Sequence, residues 1–320
     1  MRGMLIALIA AAAASVGMAA ESYPARPIRA VVPNPPGGAN DTVGRIVIRK
    51  MSDILGQQIV VDNRGGAGGA IGAEIGARAT PDGYTVLVAT FATHTMVPHL
   101  QKKIAYDPLR DFEPIALFVV QYALLTASPG FPPNTVKELI AYSKARPGQI
   151  NYGSAGPGST SDFMGRMFAK VAGIELTIVP YKGGGLILPA LIQGEAQFNF
   201  GPIPAMASHV RAGRLKGIAV SGPKRSVALP DLPTVAESGL PDFSAAAWVG
   251  LAAPRGTPRG RVERLASVSV QAVSDRETRE RLIRTGADPD PRPTAEFGKF
   301  LREEYARYGK IVRELGLRPD

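Results

Sequence analysis

The sequence has no cysteine, one tryptophan and three histidines in 320 residues. Without cysteine there can be no disulfide, no thiol nucleophile and no cysteine-ligated metal. An N-terminal lipid anchor carried on a cysteine is excluded for the same reason. Of the histidines, His94 and His99 stand five apart with no zinc-binding motif around them, and His209 is remote in sequence. A histidine-based metal site or catalytic triad is therefore not expected, and neither is a cofactor. The chain also lacks a G-x-S-x-G nucleophile elbow, so no catalytic serine stands out. It lacks any run of five Lys or Arg, although 37 basic against 27 acidic residues leave a net charge of +10. Scattered positive charge without a recognition motif gives no reason to expect nucleic acid as a partner.

One long apolar run is present, at the very start. Arg2 precedes an unbroken stretch of apolar and small residues from Met4 to Met18, then Ala19-Ala20 and the polar Glu21-Ser22. This is the three-part secretory pattern. The run is shorter than a membrane span requires and rich in alanine, so residues 1–20 are expected to be a cleaved signal peptide. No later stretch could span a membrane, which predicts a protein working in the periplasm.

The rest of the chain alternates strand and helix signals. Ile28 to Val32 reads as a strand, a proline- and glycine-rich break follows, and Val43, Ile46, Val47 and Met51 then line one helical face. Ile59 to Val61 and Thr85 to Ala89 continue as strands around a helix from Ile71. The same alternation recurs from Val136 to Val220. Repeated strand–helix–strand order is the signature of parallel α/β sheets. The apolar segments Phe118 to Ala127 and Ala247 to Ala253 fall where one block gives way to the other. The expected fold is α/β, periplasmic-binding-protein-like: two α/β domains joined by a two-strand hinge, with a ligand cleft between them. Residues 21–125 and 250–320 would form the first lobe, including C-terminal helices, and 126–249 the second.

Three loops could meet an anion. Pro35-Pro36-Gly37-Gly38-Ala39-Asn40-Asp41 follows a strand and opens a helix, where unpaired amides and glycines suit a negatively charged group. It reads equally well as a plain turn with Asn40 or Asp41 as cap. The segment from Tyr152 to Asp162 has the same setting and adds hydroxyls at Ser154, Ser159, Thr160 and Ser161, with Gly156 for close approach; an elaborate helix cap is the alternative. Pro180-Tyr181-Lys182-Gly183 offers a cation at Lys182, or simply an exposed turn lysine. The glycines from Gly65 to Gly69 do not make a dinucleotide fingerprint, because Ile71 stands where the last glycine would be needed. Trp248 is expected to pack in the core or, failing that, to wall a pocket.

Taken in order, these segments resemble the tripartite tricarboxylate transporter substrate-binding family, the Bug receptors. The resemblance is carried by Pro-x-x-Pro-Ile-Arg at 24–29, Val-Pro-x-Pro-Pro-Gly-Gly-x-x-Asp at 32–41 and Val-x-Asn-Arg-x-Gly-Ala-Gly-Gly at 61–69. It continues through Pro-Asp-Gly-Tyr-Thr at 81–85, Asn-Tyr-Gly-Ser at 151–154, Val-Pro-Tyr-Lys-Gly at 179–183 and Leu-Pro-Asp-Leu-Pro-Thr-Val-Ala-Glu-Ser-Gly at 229–239. It implies a non-enzymatic, extracytoplasmic receptor, expected to be a monomer, that binds a small organic carboxylate and delivers it to membrane permease subunits. A sensor that signals to a kinase is the alternative, and a hydrolase built on Ser154, Ser159 and Asp162 a more distant one. The resemblance places Gly37, Gly38, Asn40 and Asp41 in the first-lobe binding loop. Thr90, Thr93 and His94 would form a further pocket edge, and Ser154, Gly156, Ser159 and Asp162 the second-lobe loop, with Lys182 and Gly183 beside it. Two positions depart from the family pattern: Asp162 where histidine is common, and Gly201 where aspartate is common. The first adds negative charge near an anion site and the second removes a partner for a ligand amine. Together they argue against aspartate or glutamate as ligand and leave an aromatic or aliphatic monocarboxylate open.

Overall fold

The computed structural model describes residues 23–156 and 159–317. The expected leader, residues 1–20, lies outside the described residues. Among the described residues, eleven strands are arranged in two sheets. The first begins with β1 (Ile28–Val32), α1 (Ala39–Leu55), β2 (Ile59–Asn63), α2 (Ala70–Ala77) and β3 (Thr85–Thr90). One turn of π-type helix (Ala92–Met96), the short α3 (Val97–Leu100) and the long β4 (Phe112–Gln121) follow. The chain then enters the second sheet with β5 (Ala123–Ala127), α4 (Val136–Lys144), β6 (Asn151–Ser154), α5 (Thr160–Ala172) and β7 (Thr177–Pro180). It continues with α6 (Ile187–Gln193), β8 (Phe198–Pro202), α7 (Ile203–Arg211) and β9 (Lys216–Val220). It returns to the first sheet through β10 (Ala247–Pro254) and finishes with α8 (Arg259–Ser274), α9 (Arg276–Arg284), β11 (Asp288–Arg292) and α10 (Thr294–Glu314).

The first sheet has the order β11-β4-β10-β3-β1-β2 and the second β7-β6-β8-β5-β9. In each, the first strand of a β–α–β unit has its successor on one side and the third parallel strand on the other: β2-β1-β3 in the first sheet, β7-β6-β8 in the second. Consecutive helices therefore leave in opposite directions, and a crevice opens at the carboxyl ends of the strands. The two crossings between sheets lie side by side. Ser221 laces them together: its Oγ accepts from the Ala123 amide at 2.9 Å and donates to the Ala245 carbonyl at 2.6 Å. The ring of Tyr122, between β4 and β5, packs against Gly222 so closely that a Cβ there would sit 2.4 Å from it.

Local sequence explains most of these elements. Val43, Ile46, Val47 and Met51 of α1 are buried as their spacing predicts, each worth about 1.5–3 kcal/mol of transfer energy. α1 stops at Gly56, which takes the left-handed conformation (φ 66°) that closes a helix. α5 starts at Ser159, whose hydroxyl accepts from the Asp162 amide. Two elements that the sequence did not announce lie together near the C-terminus. α9 carries four arginines and two glutamates and buries only Thr278 and Leu282; the Asp275 side chain caps it. β11 contains Pro289 and Pro291, which cannot donate to a ladder, and it is tolerated because it pairs only with β4 at the sheet edge. Among the described residues, no helix is long and apolar enough to cross a membrane.

Candidate ligand cleft

The loop after β1 leads through residues 33–38 into α1. Gly38, the cap residue, offers no side chain, so the first-turn amides of Ala39 and Asn40 have neither a capping group there nor a carbonyl one turn back. Asp41 faces the other way and fastens the loop. Its Oδ2 accepts from the Gly37 amide at 2.8 Å, and its Oδ1 from Asn63 Nδ2 at 2.8 Å. Arg45, one turn later, donates its Nε to the same carboxylate at 2.9 Å. Burial pushes the Asp41 carboxyl up, but the bonds from Asn63, Arg45 and Gly37 outweigh it and hold it below the usual carboxylate value. Gly37 sits at a positive φ of 79°, which a side chain would strain.

The second lobe repeats the arrangement after β6. Ser154 is fully buried; its Oγ accepts from the Gly156 amide at 3.2 Å and lies 3.4 Å from Asp162 Oδ1. Ser161 Oγ accepts from the Ala155 amide at 2.9 Å. Asp162 is buried, and Arg166 donates its Nε to Oδ2 at 3.0 Å. The negative charge anticipated at position 162 is thus met by a guanidinium on the next turn and turned into the loop.

Between the two helix starts lies a cavity of about 470 Å³. Ala39 and Asn40 of α1 line one side, and Ser159, Thr160 and Ser161 of α5 another. Phe91 and Ala92, just after β3, Tyr122, Trp248 and the end of β8 form apolar walls, and Thr285 and Gly286 close it from the C-terminal part of the first lobe. Among the described residues lining it there is no Lys, Arg, His, Asp or Glu. Burial pushes the Tyr122 phenol up, so it stays neutral. The positive potential in this cavity comes instead from two helix N-termini, each equivalent to about half a unit charge.

Of the residues singled out in the sequence, Asn40, Ser159, Thr160, Ser161, Gly201 and Trp248 line the cavity. Gly37 and Gly38 belong to the loop at its edge, and Asp41, Ser154, Gly156 and Asp162 shape the two loops from behind. Thr90, Thr93 and His94 are fully buried behind Phe91 and Ala92. Thr93 Oγ1 accepts from the Thr90 amide at 3.2 Å and lies 3.0 Å from His94 Nδ1; the Tyr106 hydroxyl donates to the Thr93 carbonyl at 2.6 Å. Burial depresses the His94 imidazole to a pKa of about 3. Lys182 and Gly183 are exposed on the loop after β7, where Gly184 reaches the cavity.

The sequence reading passed over Asn199, Tyr122, Met206, Thr285 and Gly286. Asn199 had a signal: a polar residue between Phe198 and Phe200 in a strand whose other face is core. Thr285 and Gly286 had none, because they arrive from the far end of the chain. Gly286 meets Pro204 of α7 so closely that a Cβ would lie 2.4 Å from the proline ring, making a contact between the lobes.

Residues 43–317 match the family profile described as tripartite tricarboxylate transporter family receptor. This chain belongs to that receptor family. BugT of Bordetella pertussis is 33% identical over 309 residues, covering 96% of this chain and 95% of its own. Among solved structures, a protein of R. palustris with adipate is 32% identical with a TM-score of 0.78, covering 93% of this chain and 100% of that one. MatC from Rhodopseudomonas palustris with bound malate is 35% identical with a TM-score of 0.73, covering 91% of this chain and 100% of its own. Both solved structures are similar in fold to the two-lobed α/β arrangement described above.

Proposed function

We propose that this receptor works in the periplasm, captures a small carboxylate between its lobes and delivers it unchanged to the membrane permease of a tripartite tricarboxylate-type transporter. The observation that carries this reading is the meeting of two helix N-termini, α1 and α5, in one cavity with no Lys, Arg, His, Asp or Glu among the described residues lining it. Amides and hydroxyls fixed in place bind an anion without a flexible cation, because the donors are already oriented when the ligand arrives. The adipate and malate in the two R. palustris proteins support a carboxylate in particular. A binding role rather than catalysis is supported by the same lining, which offers no group able to exchange a proton near neutral pH.

Thermal denaturation against matched acids and amides tests the proposal. An acid present at about a hundred times its dissociation constant should add about 2.7 kcal/mol of stability. The corresponding amide should add almost nothing. Equal stabilisation by acid and amide, or conversion of the ligand on incubation, would overturn the reading. Uptake of the bound acid in cells lacking the gene tests delivery to the permease.

A further inference from the structure

The carboxylate accounts for one part of the cavity, and the rest has a chemistry of its own. Asn199 is 0% exposed and sits on β8 with its side chain beside Gly201. Its Nδ2 donates to the Gly153 carbonyl at 2.6 Å. A carbonyl can only accept, so this bond fixes which end of the amide faces it and leaves Oδ1 as the remaining group. Among the described residues, that oxygen has no hydrogen-bond partner. It lies 2.8 Å from where a Cβ on Gly201 would stand, and Gly201 lines the cavity. The flexible end of Met206 covers the same spot: its Cε is 2.6 Å from that Cβ position. An unbranched thioether can swing aside at little cost. Trp248, which also lines the cavity, has a buried indole N–H with no hydrogen-bond partner among the described residues.

Resting on the carboxylate reading above, we infer that the ligand is a monocarboxylate with an apolar body and one neutral hydrogen-bond donor, a hydroxyl, received by Asn199. A second carboxylate has no counter-ion along these walls, and a single indole N–H does not offset the desolvation of a full charge. Nor can a carboxylate donate to Asn199 Oδ1, whereas a hydroxyl can. The hydroxyl satisfies a buried acceptor that otherwise loses its bond to water, which is where discrimination between hydroxylated and plain acids arises.

Calorimetric titration of the full mature chain with two matched series tests this. One is hexanoate, 6-hydroxyhexanoate, adipate and hexanamide; the other is benzoate, 4-hydroxybenzoate, terephthalate and benzamide. In at least one series the hydroxy acid should bind about tenfold tighter than the plain acid, and the dicarboxylate at least tenfold weaker than the hydroxy acid. Asn199→Leu should abolish the hydroxyl advantage, bringing the ratio of hydroxy-acid to plain-acid affinity to about one. Gln121→Arg, a change elsewhere in the cavity lining that spares Asn199, should raise dicarboxylate affinity about tenfold, and it serves independently if the Asn199 variant does not fold. Dicarboxylate binding equal to or tighter than that of the hydroxy acid in both series overturns the inference. So does a hydroxyl advantage that survives in Asn199→Leu, or no gain in dicarboxylate affinity in Gln121→Arg. Equal binding of acids and amides overturns the carboxylate reading instead, so the two failures are told apart.

Discussion

Asp41 and Asp162 hold the same place in the two lobes. Each is the third residue of the helix that follows a glycine-containing loop, and each carboxylate is met four residues later by an arginine, Arg45 at 2.9 Å and Arg166 at 3.0 Å. In both, the acid is buried and its arginine reaches solvent. The pairing lets each loop keep an internal fastener without presenting net negative charge to an incoming anion.

Removing the fastener should loosen the loop it holds. Asp41→Ala leaves the Gly37 amide without its acceptor and removes one bond each from Asn63 and Arg45, which keep their bonds to Asn34 and to each other, so a loss of about 2–4 kcal/mol in urea denaturation is expected. Arg45→Ala, which takes away only a half-exposed partner, should cost about 1 kcal/mol or less. Equal losses in the two variants would show that the carboxylate does not organise the loop.

Gly38 separates binding from folding. Its φ of −67° suits any residue, and a Cβ would meet only the Pro35 carbonyl, at 3.4 Å. Gly38→Ala should therefore leave stability within about 0.5 kcal/mol. Gly38→Leu, at the mouth of the cavity beside Ala39, should keep the melting temperature of the empty protein but remove its rise with ligand. Thermal shift with and without ligand reads both effects.

Gly201 should behave differently. A Cβ there would come within 2.6 Å of Met206 Cε and 2.8 Å of Asn199 Oδ1. Met206 Cγ would lie 2.9 Å away as well, and Asn199 is held by its bond to Gly153, so Gly201→Ala should cost about 1–3 kcal/mol in denaturant, shift Met206 at the cavity wall and weaken ligand binding. Unchanged affinity in a folded Gly201→Ala protein would place the ligand elsewhere.

His94 makes stability depend on pH. Buried and neutral, with a pKa near 3, it binds fewer protons folded than unfolded between that value and about 6.5. Its contribution is therefore fully present above pH 6.5 and falls as the solution is acidified. Between pH 7 and pH 5 the loss from this group should be about 2 kcal/mol. The groups packed on its ring, Phe112 and Trp248, do not titrate, and its neighbour in hydrogen bonding is Thr93. His94→Phe should flatten this part of the stability–pH curve. A slope unchanged in that variant would assign the effect to other groups.

Much of the cleft was legible in the sequence because its makers are local. Prolines and glycines at 35–38 and hydroxyls at 154–161 announce the starts of α1 and α5, and those starts face the cavity. What a local pattern cannot state is which way a side chain turns once the strand has ended. Thr90, Thr93 and His94 lie in the right segment, but their side chains turn into the core while Phe91 and Ala92 face the cavity. Gly286 joins the cleft through a contact with Pro204, some eighty residues away in sequence, and β11 hides behind its prolines. Those features depend on tertiary packing that overrides local propensity.

On the function proposed above, the anion is held by main-chain amides at the starts of α1 and α5, since no arginine or lysine is among the described residues lining the cavity. A backbone N–H survives every substitution except proline, so drift in the sequence cannot easily erase the grip. On that reading Met206 and Asn199 are where an exchange would redraw the menu of acids, whereas Phe91 and Trp248 are also packed into the core against Tyr308 and Phe297. A scaffold of this kind can diversify its diet through its walls alone.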